Sequence, residues 1–416
     1  MFNRLINYID SKKILINSQF GFRQKHSTFM AISDMYDKIS AAIDRNEYAI
    51  GIFIDLSKAF DTLDHEILLK KLEHYGVRGV ALQWFKSYLV NRKQYVFVNE
   101  TSSLLRTITC GVPQGSILGP LLFILYINDI VCCSDILQFI LFADDTNLFY
   151  SNSNVNKLVE VLNCELCKLT KWFQVNKLSL NVQKTNFIAF GHKKFAYNQN
   201  LNIILDGVSI ERVKFTKFLG AYIDEKLTWK NHINHVKLKI SKGLGIMSRV
   251  RNFLPHNVML MLYYTLIHPY LSYCNIIWGS ATFTVLKKLE VLQKRAVRLC
   301  TGSKYRATTS PLFKRLRILK ICDINKLQTI IFMFKIKHDL LPKACMHLVN
   351  VDDANNTHNL RKKSFFKLKK FRTNIREHSI AIRGPKLWNL LPEIIQTSLT
   401  IGVLKRSFIT NCLDSY

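Results

Sequence analysis

The order of apolar and polar positions divides the chain into a first part that mixes strands with helices and a second part that is mainly helical. A β-branched apolar run at 48–56 predicts a buried strand, and leucine and isoleucine then recur at helical spacing as far as Gly76. Alternating positions near 94–109 predict further strands, and the continuous apolar stretch at 117–131 predicts a buried helix.

The pattern after residue 137 completes this division. Residues 137–150 predict two short apolar strands on either side of an acidic turn, and residues 154–176 predict a long helix. Strand-like segments follow at 185–190, 201–210 and 215–223. Helical periodicity dominates from about residue 230 onwards. We therefore predict an α+β fold with a helical second half.

The chain is strongly basic, and the excess is concentrated in its second half. Its 416 residues are 48% hydrophobic and include 59 Lys and Arg against 29 Asp and Glu, a net charge of +30. Residues 1–200 contribute +5 of this charge, and residues 201–416 contribute +25. The hydrophobic fraction excludes disorder as the dominant state. The positive charge indicates a polyanionic partner, and nucleic acid is the first candidate.

The sequence favours neither a zinc site nor a membrane segment. The one CxxC motif, Cys164 and Cys167, has no second pair at zinc-ligand spacing. No stretch approaches the roughly 18 to 20 apolar residues of a membrane span, and the N-terminus is too weakly apolar for a signal peptide. His232 and His235 lie three apart on a predicted helix with no further ligand in sight, and we expect them to be polar residues of the surface or of the helical second half. We expect an intracellular soluble protein.

Three carboxylates stand beside strongly apolar segments, where an ionised side chain needs compensation. Asp55 ends the first strand, and Asp144 and Asp145 occupy the tip of the 137–150 hairpin. Divalent ions held by such carboxylates can activate a 3′-hydroxyl and stabilise a departing pyrophosphate. Taken alone, the Asp-Asp pair is more typical of an ordinary solvated turn. The order of motifs along the chain is therefore the stronger indication of a catalytic site.

Five segments in this order resemble the successive motifs of reverse transcriptases: IDLSKAFD (54–61), GVPQGSILGP (111–120), FADD (142–145), LSLNVQKTN (178–186) and FLGAYID (218–224). The form of FADD, together with QFGFRQKHST at 19–28, resembles non-LTR, LINE-type retrotransposons and especially jockey-like mobile elements. The segments QKRAVRLCTG (293–302) and RGPKLWNLLP (383–392) resemble, more loosely, the C-terminal region of such elements.

The resemblance implies a right-hand polymerase fold, with a palm built on an antiparallel sheet, partial fingers and a mainly α-helical thumb. We expect fingers and palm at 1–225, a helical thumb and connection at 226–350, and a basic C-terminal region at 351–416. The polar stretch 350–364 favours the last boundary. Such elements carry an RPISL-like fingers segment and an endonuclease domain upstream of QFGFR, so we expect a product truncated at its N-terminus.

The resemblance also implies a metal site with two Mg²⁺ ions, with Mn²⁺ as an alternative. Asp55 and Asp144 would be the metal ligands. The Leu56 carbonyl and the Asp145 carboxylate would assist them. Lys184, in QKT, occupies the position of a lysine proposed to protonate the leaving pyrophosphate, and a solvated surface lysine is the alternative.

Four residues would contact the incoming nucleotide if the resemblance holds. Phe60 would lie under the sugar and exclude a 2′-hydroxyl, unless it is only a core residue of the predicted helix. In PQG, the turn at Gly115 would bring backbone close to the nucleotide, and the Gln114 amide would hydrogen-bond the nucleotide or its template partner. Arg23 would reach template or triphosphate, and a structural salt bridge is the alternative.

Further segments would contact the nucleic acid. Phe218, Leu219 and Gly220 would form the hairpin that grips the primer, although an ordinary strand and bend fits them equally. Lys294, Arg295 and the mixed basic and aromatic run 361–372 predict a track for RNA or DNA.

Two function hypotheses from different classes follow. The first is an RNA-directed DNA polymerase, a nucleotidyltransferase that extends a DNA primer or target on an RNA template with dNTPs, within an element ribonucleoprotein of nucleus and cytoplasm. The second is an inactive, truncated or co-opted remnant that binds nucleic acid through its basic half. A viral RNA-dependent RNA polymerase is a weaker third hypothesis, because FADD lacks a preceding glycine and Phe60 opposes ribonucleotides. We expect no membrane partner.

Overall fold

The structure, a computed structural model, describes residues 1–191, 201–346, 348–349 and 366–416. The chain divides into two units. The first unit holds Met1–Ala31 and Asn46–Val213, and the second holds Ile32–Arg45 and Lys214–Tyr416. The three carboxylates singled out by the sequence all belong to the first unit.

Helices and short strands alternate up to residue 213. The helices are α1 (Phe2–Lys12), α2 (Thr28–Asp44), α3 (His65–His74), α4 (Gly79–Leu89), α5 (Leu118–Tyr126) and α6 (Val155–Val175), with a 3₁₀ helix at Asn128–Cys133. The strands are β1 (Tyr48–Ile54), β2 (Lys93–Gln94), β3 (Phe97–Val98), β4 (Thr101–Ser102), β5 (Arg106–Thr107), β6 (Gln138–Phe142), β7 (Asp145–Asn152), β8 (Asn186–Phe190), β9 (Ile204–Leu205), β10 (Val208–Ser209) and β11 (Glu211–Arg212).

A five-stranded sheet in the order β11-β8-β1-β7-β6 organises the first unit. β1 lies in the middle and pairs antiparallel with β7 and β8, and β6 pairs antiparallel with β7. Every residue of β1 from Ala49 to Ile54 is buried, and one apolar core joins this strand to α5 and α6. Burial on both faces explains why the strand is an unbroken apolar run rather than an alternating one.

The helix predicted after β1 begins later than its apolar periodicity indicates. Residues 57–64 form turns and irregular backbone, and α3 begins at His65. Asp64 precedes α3, and its carboxylate accepts the backbone N–H groups of Glu66 and Ile67 at 3.0 Å. These donors have no partner within the helix, so an aspartate at this position favours a helix start. Phe60 therefore lies in a loop and is not part of the helix.

The second unit contains one hairpin, the later part of α2 and the remaining helices. The hairpin strands are β12 (Phe215–Phe218) and β13 (Ala221–Asp224). The helices are α7 (Lys230–Val250), α8 (His256–Leu266), α9 (His268–Ser272), α10 (Asn275–Trp278), α11 (Phe283–Thr301), α12 (Ser310–Leu316), α13 (Ile321–Lys337), α14 (Lys343–Met346), α15 (Asn374–Glu377), α16 (Ile380–Asn389), α17 (Glu393–Gln396) and α18 (Ile401–Asp414). Both the helical second half and the α+β class are confirmed.

Charged side chains join the early segment of the second unit to its C-terminal part. Arg376 is 8% exposed, and its Nη1 donates to Asp37 Oδ1 at 2.6 Å and to Ser40 Oγ at 3.0 Å. Asp44 Oδ1 accepts the backbone N–H of Thr373 at 2.8 Å. These contacts explain why residues 32–45 belong to the second unit although β1 of the first unit follows them directly.

Burial of His232 predicts a loss of stability in mild acid. Of the two positions expected for this residue, the surface is wrong: it lies in helix α7 of the helical second half, is 2% exposed, and its ring lies 5.4 Å from that of Trp278. Burial, with the charge of His235 added, lowers the pKa of His232 to about 4, from an ordinary value of about 6.5. Between these two pH values, His232 therefore binds a proton in the unfolded chain but not in the folded chain. Stability from this group is full above about pH 6.5 and falls as the pH drops towards 4.

Urea unfolding at pH 7.5 and at pH 5 measures this effect. We expect His232 alone to lower the free energy of unfolding by about 2 kcal/mol at the lower pH. The variant His232→Gln keeps a side-chain acceptor for the N–H of Tyr222, which His232 Nδ1 accepts at 3.4 Å, and should lose less stability between the two pH values. Equal losses in both proteins would contradict the prediction.

Within the described ranges, no helix combines the length and the apolarity needed to cross a membrane. The division at residues 225 and 350 stays a prediction. The polar stretch 350–364 and the start of the basic run 361–372 lie outside the described residues.

Candidate active site

Three carboxylates meet at one end of the sheet of the first unit. Ile54, the last residue of β1, pairs with Thr146 of β7, so Asp55 and Asp145 continue the two strands side by side. Asp145 is the first residue of β7, and Asp144 precedes it in the turn from β6. Residues that are 89 and 90 positions apart in the sequence thereby become neighbours.

Burial and neighbouring negative charge raise the pKa values of Asp144 and Asp145. Burial of the carboxyl group, opposed by a backbone hydrogen bond and reinforced by the charge of Asp55, raises the pKa of Asp144. Burial of the carboxyl group and the charges of Asp144 and Asp55 raise the pKa of Asp145 to about 6, although the residue as a whole is exposed. Since such groups ordinarily titrate near 4, the site concentrates negative charge that a cation would relieve.

The oxygen ligands at this site suit a hard divalent cation that shares its coordination shell with a substrate. Mg²⁺ is typically held by one or two carboxylates, while waters and substrate phosphates complete its shell. No group of three or more His, Cys, Asp or Glu side chains in the described ranges is arranged to hold a metal ion. The charge of Asp55 contributes to the raised pKa of Asp144, so these two carboxylates are close enough to interact. Leu56 follows Asp55 with its side chain buried, and its carbonyl ligand role stays a prediction.

A loop after α6 holds Asp55 through hydrogen bonds to its side chain and its backbone. Asn181 Nδ2 donates to Asp55 Oδ2 at 2.9 Å, and the Asn181 N–H donates to the Asp55 carbonyl at 2.8 Å. The N–H of Asp55 donates to Thr185 Oγ1 at 3.2 Å, and that hydroxyl donates to the Asn181 carbonyl at 2.9 Å. Neither residue is among the predicted site residues, although both lie in the LSLNVQKTN segment.

Lys184 lies in the same loop, next to Thr185. Its backbone N–H donates to the Asn181 carbonyl at 3.1 Å, and the residue is exposed. The loop that holds Asp55 therefore also carries the lysine of the QKT motif. Its role as a proton donor stays a prediction.

Three of the four residues predicted to contact the nucleotide lie in the loops before α3 and α5. The Phe60 ring is half-buried, and its centroid lies 4.6 Å from that of Phe123 in α5. Gln114 is exposed, and its Nε2 donates to Asp61 Oδ1 at 2.7 Å, which joins the two loops. Gly115 has a φ of 80°, and a Cβ there would meet nothing within 4 Å. The turn therefore presents open backbone, and its contact with a nucleotide stays a prediction.

Arg23 is held by the backbone of its own segment. Its Nη1 donates to the carbonyl of Ile16 at 2.6 Å and to that of Gln19 at 3.2 Å. Burial lowers the pKa of this guanidinium, against the opposing charge of Asp10. The arginine therefore stabilises the loop between α1 and α2, and a contact with template or triphosphate stays a prediction.

The QFGFR segment also contains two residues that contact the turn carrying Asp144 and are not among the predicted site residues. Residues 18–20 run parallel to β6 along the outer edge of the sheet. Gln19 is 1% exposed, and its Oε1 accepts the N–H of Ala143 at 3.1 Å, inside the turn that carries Asp144. A Cβ at Gly21 would lie 2.2 Å from Ala143 N, so glycine is required for this approach.

Phe218, Leu219 and Gly220 lie in the second unit, at the β12–β13 hairpin. Leu219 has a φ of 46° and Gly220 a φ of 83°, and two consecutive left-handed residues are typical of a tight hairpin turn. Phe218 is 3% exposed, and Tyr273 Oη donates to the Leu219 carbonyl at 2.5 Å. The hairpin that the resemblance implies is present, and its contact with a primer stays a prediction.

The first part of the chain matches a described protein family. Residues 1–223 match the family described as reverse transcriptase (RNA-dependent DNA polymerase). The matched region contains Asp55, the β6–β7 turn and the loop with Asn181.

Curated proteins from insects are similar over most of the chain. A protein of Drosophila melanogaster named "Probable RNA-directed DNA polymerase from transposon BS" is 32% identical over 335 residues, which are 76% of this chain and 36% of that protein. Another, named "RNA-directed DNA polymerase from mobile element jockey", is 28% identical over 338 residues, 79% of this chain and 36% of that protein. The chain thus spans 36% of the length of these relatives.

Among solved structures, a telomerase from Candida albicans with a fragment of telomeric RNA aligns with a TM-score of 0.43 and 13% identity, over 76% of this chain and 57% of that one. Apo telomerase from Candida tropicalis aligns with a TM-score of 0.42 and 12% identity, over 81% of this chain and 58% of that one.

Proposed function

The chain belongs to the reverse transcriptase (RNA-dependent DNA polymerase) family, and we propose that it is the RNA-directed DNA polymerase of a jockey-like non-LTR retrotransposon. The observation that carries this proposal is the cluster of Asp55, Asp144 and Asp145 at the end of one sheet. The names of the similar insect proteins support the class of element. A remnant that only binds nucleic acid is not favoured, because all three carboxylates are present and the loop with Asn181 holds Asp55.

Asp55 and Asp144 would hold the divalent ions, Mg²⁺ or alternatively Mn²⁺, with the Leu56 carbonyl and Asp145 beside them. Two such ions activate the primer 3′-hydroxyl and stabilise the leaving pyrophosphate when they are bound. The residues of the chain hold the ligands in fixed positions. Asn181 bonds both the carboxylate and the carbonyl of Asp55, so this ligand does not need to reorganise when a substrate arrives.

The nucleotide would be positioned from the loops before α3 and α5. The Phe60 ring, fixed against Phe123, would lie under the sugar and exclude a 2′-hydroxyl. Gln114, which its bond to Asp61 orients, would offer an amide to the base pair or the phosphates. Lys184 would donate a proton to the leaving pyrophosphate. Because these residues lie on separate loops, a single substitution at each one tests its role independently.

Nucleic acid would be held by basic surfaces. Helix α7 contains no acidic residue, and its basic side chains are exposed at Lys237, Lys239, Lys242 and Arg249. A helix face of this charge attracts a phosphate backbone in a sequence-independent and salt-sensitive manner. Arg23 and the hairpin at residues 218–220 would add contacts to template and primer. The partners that we propose are an RNA template, a DNA primer or target, and dNTPs, within an element ribonucleoprotein of nucleus and cytoplasm.

Primer extension with purified protein tests this function. A DNA primer annealed to an RNA template is incubated with Mg²⁺ and either dNTPs or rNTPs, and a DNA template of the same sequence is tested in parallel. We expect extension on the RNA template with dNTPs and little with rNTPs. Binding of the same duplex is followed by fluorescence anisotropy, so that failure to bind is distinguished from failure to react. Binding without any extension on the RNA template would contradict the proposed activity.

A further inference from the structure

We propose that Gln19 is a positioning residue that fixes the backbone of the turn carrying Asp144, and that Gly21 allows the close approach on which this depends. The catalytic consequence rests on the proposed polymerase function, whereas the structural role stands on contacts alone. Gln19 lies 125 residues before Asp144 in the sequence, so the contact is set by the tertiary fold.

One oxygen of the Gln19 side chain bonds two backbone segments. Oε1 accepts the N–H of Gly21 at 2.7 Å and the N–H of Ala143 at 3.1 Å. Because both partners are donors, the oxygen and not the amide nitrogen must face the turn. Nε2 is buried and has no hydrogen-bond partner among the described residues. Burial of an unpaired amide group costs free energy. The stabilising contribution of Gln19 at this position is therefore its two hydrogen bonds through Oε1.

The turn needs such support because of its backbone conformation. Ala143 has a φ of 56° and is 5% exposed. A residue with a Cβ is disfavoured in this left-handed region by about 1–2 kcal/mol. The Ala143 N–H donates to Gln19 Oε1. A rotation of the backbone at Ala143 would redirect the carboxylate of the next residue, Asp144. The hydrogen bond therefore stabilises the backbone conformation that places Asp144 within electrostatic reach of Asp55.

The segment that carries Gln19 is itself fixed to β6 on both sides of this residue. The Leu141 N–H donates to the Ser18 carbonyl at 2.9 Å, and the Phe20 N–H donates to the Leu141 carbonyl at 2.8 Å. Gly21 then passes the turn so closely that a Cβ would lie 2.2 Å from Ala143 N and 2.9 Å from the Phe142 carbonyl carbon. Both of the contacting atoms are backbone, so the neighbour cannot rotate away.

Hydrogen exchange tests the structural role without reference to activity. In Gln19→Met, which keeps the size of the side chain but removes the acceptor, we expect the Ala143 amide to exchange at least about tenfold faster, by mass spectrometry of a peptide covering residues 140–146. Gln19→Glu, which keeps an oxygen acceptor, should stay closer to the wild type. Gln138→Met makes the same chemical change at an exposed position of β6 and should leave the exchange unchanged.

Steady-state kinetics tests the catalytic consequence. For Gln19→Met we expect kcat for dNTP addition to fall about 10- to 100-fold, as a small misplacement of a reacting group does. The KM for dNTP and the Kd for primer–template should change less than about threefold, because neither contact involves Gln19. Gln138→Met should keep the wild-type kcat. Gly21→Ala should reproduce the loss of kcat, with melting temperatures recorded for every variant.

The two proposals fail in different ways. If the Ala143 amide exchanges at the wild-type rate in Gln19→Met, or if Gln138→Met accelerates it equally, the positioning role is overturned whatever the activity. If exchange rises as expected but kcat is unchanged, Gln19 supports the turn without serving catalysis, and the inference is again overturned. If the wild type does not polymerise at all, the proposed function fails, while the exchange result still decides the role of Gln19.

Discussion

Replacement of Asp144 by asparagine is expected to reduce dNTP incorporation by about a thousand-fold or more, equivalent to about 4 kcal/mol of barrier. The substitution keeps the size of the side chain and removes one negative charge from a site where Asp55 and Asp145 supply the others. A neutral amide is a poor ligand for a hard cation. The loss should appear in kcat and not in primer–template affinity, since the carboxylate opposes a phosphate backbone rather than binding it.

A matched control separates this effect from a change in net charge. Asp135 is exposed, on the approach to β6, so Asp135→Asn alters the charge of the same unit equally and should keep wild-type activity. The measurement is single-nucleotide incorporation at saturating dNTP, with the Kd for primer–template determined in the same buffer. An Asp144→Asn protein that retains more than about a tenth of the activity would show that this carboxylate does not take part in the chemistry.

Replacement of Phe60 by alanine is expected to raise the ratio of ribonucleotide to deoxynucleotide incorporation by about 100-fold, a value that corresponds to a barrier difference of about 3 kcal/mol. The ring is half-buried and rests 4.6 Å from the Phe123 ring, which holds it in one orientation. A fixed aromatic face discriminates by steric exclusion of the 2′-hydroxyl, and alanine removes that face. The gain should come from faster ribonucleotide addition, while the deoxynucleotide rate falls only modestly.

Phe60→Tyr provides the matched variant, because it keeps the ring and its packing against Phe123. Competition between dNTP and rNTP on one template gives the ratio directly, and it should stay within about threefold of the wild type for tyrosine. Melting temperatures must accompany the kinetics, since removal of a half-buried ring from the core edge costs about 1–3 kcal/mol. An unchanged ratio of ribonucleotide to deoxynucleotide incorporation in a folded Phe60→Ala protein would show that Phe60 does not contact the sugar of the incoming nucleotide.

Much of the fold of the first unit could be predicted because its signals are local. The apolar run of β1, the acidic hairpin and the helices α5 and α6 each express their burial in consecutive residues. The order of motifs then predicts that Asp55, Asp144 and Asp145 share one site, and the register of β1 with β7 brings them together. The reverse transcriptase family is confirmed by the match over residues 1–223.

The supporting residues could not be predicted, because their importance arises only from tertiary contacts. In the sequence, Asn181 and Gln19 are indistinguishable from other polar residues. Only the fold shows that their segments lie against the ends of β1 and β6. Gly21 is one glycine among 16, and its necessity is visible only in its distance from Ala143 N. The apolar periodicity around Phe60 is misleading for a different, local reason: the Asp64 side chain caps the helix and makes it begin at His65.

Single-turnover extension of a preformed complex tests the central claim most directly. The protein is first bound to a DNA primer on an RNA template without metal, and the next correct dNTP is then added with Mg²⁺ or with EDTA. We predict that the primer grows by one nucleotide in Mg²⁺ only, and that Asp144→Asn stays unextended although it binds equally well. A complex that forms with wild-type affinity but never extends in Mg²⁺ would contradict the account.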